Sequence, residues 1–205
     1  MAIGNYSELK TAVENWLDGD SLTVVDDFID LAEARHARDI RISEMETRAT
    51  ATTSTTVRYL NLPTGYLGMR RMVFETNPIT TLEQVSPDQL VDVYSKSTSK
   101  PKFFAVHEEI EFNCVADSEY TADMVYWKAF TALSDSNTTN GLLTNHPDVY
   151  LSSCLAEAFQ YIEDDARAQF WEAKYRALVR DLKKSEAIKR HSQGALHTRA
   201  KVEVV

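Results

Sequence analysis

The sequence predicts an α+β fold: a helical bundle of N- and C-terminal helix pairs, an inserted antiparallel β-rich lobe, and an extended C-terminal tail. Three observations carry this prediction. Apolar residues recur at helical spacing near both ends of the chain. Between them, six Thr fall in the ten residues Thr47–Thr56, a β-branched run that disfavours a long helix, and short alternating runs continue to about Trp127. Beyond Gly194 the periodicity stops. The implied divisions are a helical hairpin over 1–42, the β lobe over 43–130, a second helical pair over 131–192 and the tail over 193–205.

Asn5 and Glu8 have capping-box spacing, so the first helix is predicted over 6–18. Leu9, Val13, Trp16 and Leu17 form its apolar stripe. Asp18-Gly19-Asp20-Ser21 reads as a turn, since a calcium loop needs a twelve-residue ligand pattern that is missing. The second helix is predicted over 22–41, capped by Ser21 or Thr23, with Asp26 and Asp27 at its positive end. Val25, Phe28, Ile29, Ala32 and His36 share one face, so His36 is expected to be a packed, hydrogen-bonded side chain rather than a ligand. A short turn between two such helices predicts an antiparallel hairpin.

In the lobe, the Thr run should continue as one strand through Val57–Leu60, and Pro63-Thr64-Gly65 should turn the chain. Gly68–Glu75 alternates as a second strand, with Met69, Arg71, Val73 and Glu75 on one face and Arg70, Met72 and Phe74 on the other. Thr80–Val85 is a third, shorter strand. Ser86-Pro87-Asp88 supplies an N-cap, an N1 proline and a first-turn acid for a short helix to Tyr94. Phe103–Val106 and Ile110–Cys114 flank a polar turn, and the last strand runs from Tyr120 to Trp127. His107 beside Glu108 and Glu109 is a poor metal site, because neighbours on a strand point to opposite faces.

Pro147 near N1 opens a helix predicted over 147–162, striped by Leu151, Leu155, Ala158, Phe159 and Ile162. Glu163-Asp164-Asp165 marks a turn or a new start. Trp171, Tyr175, Leu178 and Leu182 stripe a final helix over 165–192.

At 205 residues the chain can bury roughly 70% of the surface its unfolded form exposes, so folding requires no disulfide or metal. Cys114 and Cys154 lack Cys-x-x-Cys spacing and read as two buried thiols. No run of eighteen apolar residues exists, and the N-terminus lacks the order of a signal peptide; a soluble protein with no membrane contact, made in the host cytoplasm, is expected. The net charge of −9 argues against non-specific nucleic-acid binding. Its distribution is uneven. Residues 174–205 hold nine basic and three acidic side chains, leaving 13 basic against 28 acidic over 1–173. An acidic body with a basic end suggests two surfaces with different partners. No nucleophile elbow, phosphate-cradling Gly loop or His-Glu-x-x-His helix is present. The reading is of a docking protein, with no catalytic residues, cofactor or metal.

The N-terminal quarter carries a specific pattern. A Tyr6-Ser7-Glu8-Leu9 opening leads to Trp16-Leu17, then to the acidic helix Asp27-Phe28-Ile29-Asp30-Leu31-Ala32-Glu33-Ala34-Arg35, and leaves through Arg48-Ala49-Thr50-Ala51. This order resembles the head-to-tail connector (neck adaptor) proteins of tailed bacteriophages. The resemblance implies a structural virion protein located in the neck. Twelve copies would form a homo-oligomeric ring on the portal protein, extend the DNA channel without binding DNA specifically, and offer a platform to a tail or nozzle protein. A head-completion or tail-terminator protein is the alternative within that class; a cytoplasmic regulatory or hydrolytic protein is the alternative outside it. In such families the C-terminal segment reaches the portal, which makes residues 189–205 the expected anchor. There Lys189, Arg190, Arg199 and Lys201 face a single Glu203, and Leu196, Val202, Val204 and Val205 belong to no predicted core.

Overall fold

A computed structural model of the chain describes residues 3–17 and 24–190. The fold is α+β, with six α-helices and a curled seven-stranded sheet among the described residues. The chain divides into two compact units, a helical one from residues 1–42 and 134–205 and a β one from 43–133.

In the helical unit, α1 (Tyr6–Trp16) is capped as its sequence predicts: the Asn5 side chain accepts from the Glu8 amide at 2.9 Å. The reciprocal arm differs, since the Glu8 carboxylate accepts from Gly4 N at 2.7 Å rather than from the cap residue itself. Helix α2 (Val25–Asp39) starts three residues later than expected, with Val24 at the cap position and no side-chain cap bond; Ser21 and Thr23 lie outside the described residues. Its buried face is the predicted one, Val25, Phe28, Ile29, Ala32 and His36.

A short helix, α4 (Gly141–Asn145), precedes the helix opened by Pro147, in a stretch for which the sequence predicts no element. Asn140 explains it. Its Oδ1 accepts from Leu143 N at 2.9 Å while its Nδ2 donates to the buried Tyr150 hydroxyl at 2.6 Å. Helix α5 (Pro147–Tyr161) follows, with the proline in the first turn. It packs against α1, α2, α4 and α6 (Asp165–Arg190), and it is buried nearly all round. A central helix has no solvent face, so its periodicity understated its burial.

The α5–α6 break is a Schellman turn. Glu163 adopts φ 60°, its amide donates to Gln160 O at 3.2 Å, and Asp164 N donates to Phe159 O at 3.0 Å. Asp164 then caps α6 by accepting from Arg167 N at 3.0 Å. In α6 the buried positions include Trp171, Tyr175, Val179 and Leu182; Val179 takes the place expected for Leu178.

The β unit opens with a 3-10 turn (Ser43–Met45) and holds β1 (Glu46–Thr52), β2 (Tyr59–Asn61), β3 (Tyr66–Phe74), β4 (Thr80–Gln84), α3 (Pro87–Asp92), β5 (Phe103–Val106), β6 (Glu109–Phe112) and β7 (Thr121–Lys128). Strand order is β1-β7-β3-β4-β5-β6-β2. The Thr-rich segment is two strands rather than one, because Thr53 leaves the β1 ladder. Its hydroxyl accepts from Tyr120 N at 2.9 Å and donates to Ser118 O at 3.3 Å. Neighbouring strands are antiparallel except β4 and β5, which are parallel, an arrangement that requires the crossover supplied by α3. Ser86 completes a full capping box there with Gln89.

Met72, Phe74, Leu82, Phe104, Ile110, Phe112, Ala122 and Met124 form the core of this unit. Met69 packs against the same core, contrary to the simple alternation that sets it opposite Met72. In the pairing with β7, a register shift between Met69 and Arg71 inserts one extra residue on β3 and restores Met69 to the inner face.

Candidate docking surfaces

The residues that could meet a partner lie on α6 and on the α2 face beside it. Of the expected anchor, Lys189 and Arg190 form the last turn of α6, and Lys189 Nζ pairs with the buried Glu186 at 2.7 Å. Leu196, Arg199, Lys201, Val202, Val204 and Val205 lie outside the described residues.

The structure assembles a second basic feature that no sequence window contains. Arg35 and Arg38 from α2 and Arg176, Arg180, Lys183 and Lys184 from α6 line one groove of about 850 Å³, together with Asp39, Tyr175, Val179 and Ala187. Positions 176, 180, 183, 184 and 187 share one helical face, which was the available signal. Arg35 ties the two helices together. Its guanidinium donates to Glu157 at 2.8 Å and to Glu172 at 2.5 Å, and it stacks over the Tyr175 ring at 4.6 Å. Burial works against the cation, but the Glu172 and Glu157 carboxylates outweigh it and raise its pKa. Glu172 also accepts from Arg176 at 2.6 Å, and the Tyr175 hydroxyl donates to Asp39 at 3.1 Å. Both groove carboxylates are therefore engaged within the unit, and Asp181 pairs with Lys184 at 3.5 Å and lies 4.0 Å from Arg180, so the six cations outnumber the three acids beside them.

Elsewhere on the helical unit large aromatic side chains stand exposed. Trp16 is 53% exposed and meets Trp171 edge-on at 5.2 Å; Phe170, 61% exposed, also meets Trp171 edge-on, at 5.4 Å. Exposed Trp and Phe of this kind suit a protein whose work is contact with other proteins. Cys154 is fully buried and its thiol is pushed well above the ordinary range by that burial, the opposite of a reactive nucleophile. Among the described residues no three His, Cys, Asp or Glu side chains group as metal ligands.

The family described as SU10 adaptor protein matches residues 4–199, and so spans both units. The chain belongs to the SU10 adaptor family. This is a head-to-tail adaptor family of tailed bacteriophages, so the protein is a phage adaptor, a structural component of the virion neck. No curated protein matches the sequence. The membership extends the resemblance seen in the first fifty residues to almost the whole adaptor. No helix among the described residues is long and apolar enough to cross a membrane.

Proposed function

We propose that this adaptor assembles as a ring, of twelve copies, on the portal protein, lengthens the DNA channel and presents the platform to which a tail or nozzle protein attaches. The observation that carries this reading is the family match over residues 4–199. In this reading the two helix pairs form one bundle, and residues 43–130 are a lobe inserted between them in the chain. The anchor to the portal is the segment 189–205, with Lys189, Arg190, Leu196, Arg199, Lys201, Val202, Val204 and Val205 as the contact residues.

Physical chemistry supports each part. A chain of net charge −9 repels DNA and lets it pass without lasting contact. Basic residues in the anchor steer encounter with an acidic partner surface, and apolar ones hold the complex once formed. Closed rings are built from interfaces that join two different patches by rotation. Electron microscopy of the adaptor mixed with its cognate portal tests the reading. A ring of added density seated on the portal is expected, and portals unaltered by a molar excess of adaptor would overturn it.

A further inference from the structure

The basic groove has its complement on the same helix that forms one of its walls. Asp27, Asp30, Leu31 and Ala34 are exposed along α2 at i, i+3, i+4 and i+7, so they form one outward stripe. The stripe continues to Arg38, which lines the groove. Over about 16 Å of helix the exposed surface thus runs from acidic, through the half-exposed Leu31, to basic. Residues 1–42 hold nine acidic and four basic side chains, whereas α6 holds four acidic and eight basic. The helical unit is strongly polarised.

We propose that the groove between α2 and α6 receives the acidic α2 stripe of a second copy of this chain, in a head-to-tail contact between neighbours. Asp27 and Asp30 of one copy meet Arg38, Arg180 and Lys183 of the next, while Leu31 covers Val179 and Ala187. Two features select this occupant. The chain's own residues 191–205 carry Arg199 and Lys201 against Glu203, so like charge disfavours their filling the groove. Nucleic acid faces a chain of net charge −9 and a groove that mixes its cations with Asp39, Glu172 and apolar side chains. A contact built on exposed charge is weak alone and gains strength when many copies are held side by side. The head-to-tail sense rests on the ring reading above.

Disulfide trapping in the full chain tests it. The native Cys114 and Cys154 are buried and do not interfere. The double variant D30C/K183C, oxidised at high protein concentration and low salt, is expected to give a ladder of dimers, trimers and larger species. High salt, or adding Arg180→Glu, should lower the yield about tenfold while the melting temperature stays put. A ladder that stops at the dimer would mean a two-fold contact and overturn the proposal. So would equal yields from D30C alone or K183C alone, or no salt dependence. Duplex DNA bound by the unmodified adaptor and lost on Arg180→Glu would assign the groove to phosphate instead. Portal rings seen by microscopy without a ladder sink this interface alone; a ladder without portal rings sinks the portal reading alone.

Discussion

His36 Nε2 lies 2.9 Å from Ser153 Oγ in the core of the helical unit, within hydrogen-bond distance. The Ser153 hydroxyl is positioned to donate to the backbone oxygens of Val149 and Tyr150, at 3.0 and 2.9 Å. Donation to either oxygen leaves Oγ free to accept from Nε2, which favours the neutral tautomer with the proton on Nε2 and a lone pair on Nδ1. Nδ1 is buried with no hydrogen-bond partner among the described residues. Protonation would place a charge and a second N–H in that pocket, beside Arg35 and between the Tyr150 and Tyr175 rings.

The adaptor should therefore lose stability in mild acid. Burial first, and the neighbouring Arg35 charge second, lower the His36 pKa to about 3. A base held neutral in the fold stabilises fully above its unfolded pKa of about 6.5, and that stability drains away as pH falls from there towards 3. The slope from this group is at most about 1.4 kcal/mol per pH unit. Urea unfolding between pH 7.5 and 4 measures it, and His36→Gln should flatten the profile in the range above the carboxylate titrations.

Arg35 should be the most sensitive polar residue of the helical unit. It bridges positions 122 and 137 residues away in sequence, and its side chain is only 17% exposed. Arg35→Ala leaves Glu157 partly buried without its cation and Glu172 held by Arg176 alone, and a loss of about 2–3 kcal/mol is expected. Arg35→Lys should recover less than half of it, because an ammonium cannot reach two carboxylates in fork geometry and stack on Tyr175. Denaturation midpoints of the two variants decide the matter.

Glu163 offers a route to a more stable adaptor. Its φ of 60° is left-handed, a conformation that places Cβ close to the following carbonyl oxygen. Glu163→Gly keeps the Schellman bonds and removes that strain, for an expected gain of about 0.5–1 kcal/mol after the extra freedom of glycine in the unfolded chain is counted. Glu163→Val should do the reverse. Thermal melts of the two variants should move in opposite directions.

Ending the chain at Arg190 should separate folding from docking. The packing of the helical unit draws on α6 side chains from Trp171 to Glu186, all retained by this truncation. Its melting temperature should match that of the full chain, and portal binding should be lost. Unaltered affinity for portals would place the anchor elsewhere on the adaptor.

Much of this fold is local, and the local part was legible. The apolar stripe of α2, the N1 prolines of α3 and α5, the Asn5 cap and the strands β3 to β7 of the β unit all follow from spacing within a dozen residues. The buried, hydrogen-bonded state of His36 was legible for the same reason: an imidazole on an apolar stripe goes inside with it. The parallel β4–β5 pair, the bulge that returns Met69 to the core and the all-round burial of α5 were not, since each depends on which neighbour lies alongside. The same limit hid the groove. Neither α2 nor α6 is concave, and α2 taken alone reads as acidic. Only when Arg35 closes on Glu172 across 137 residues of sequence do six cations from two helices share one hollow. Hydrophobic period and capping chemistry act within a helix, so sequence alone determined the elements. Charge acts through space, so the surfaces they present together were decided by the tertiary structure.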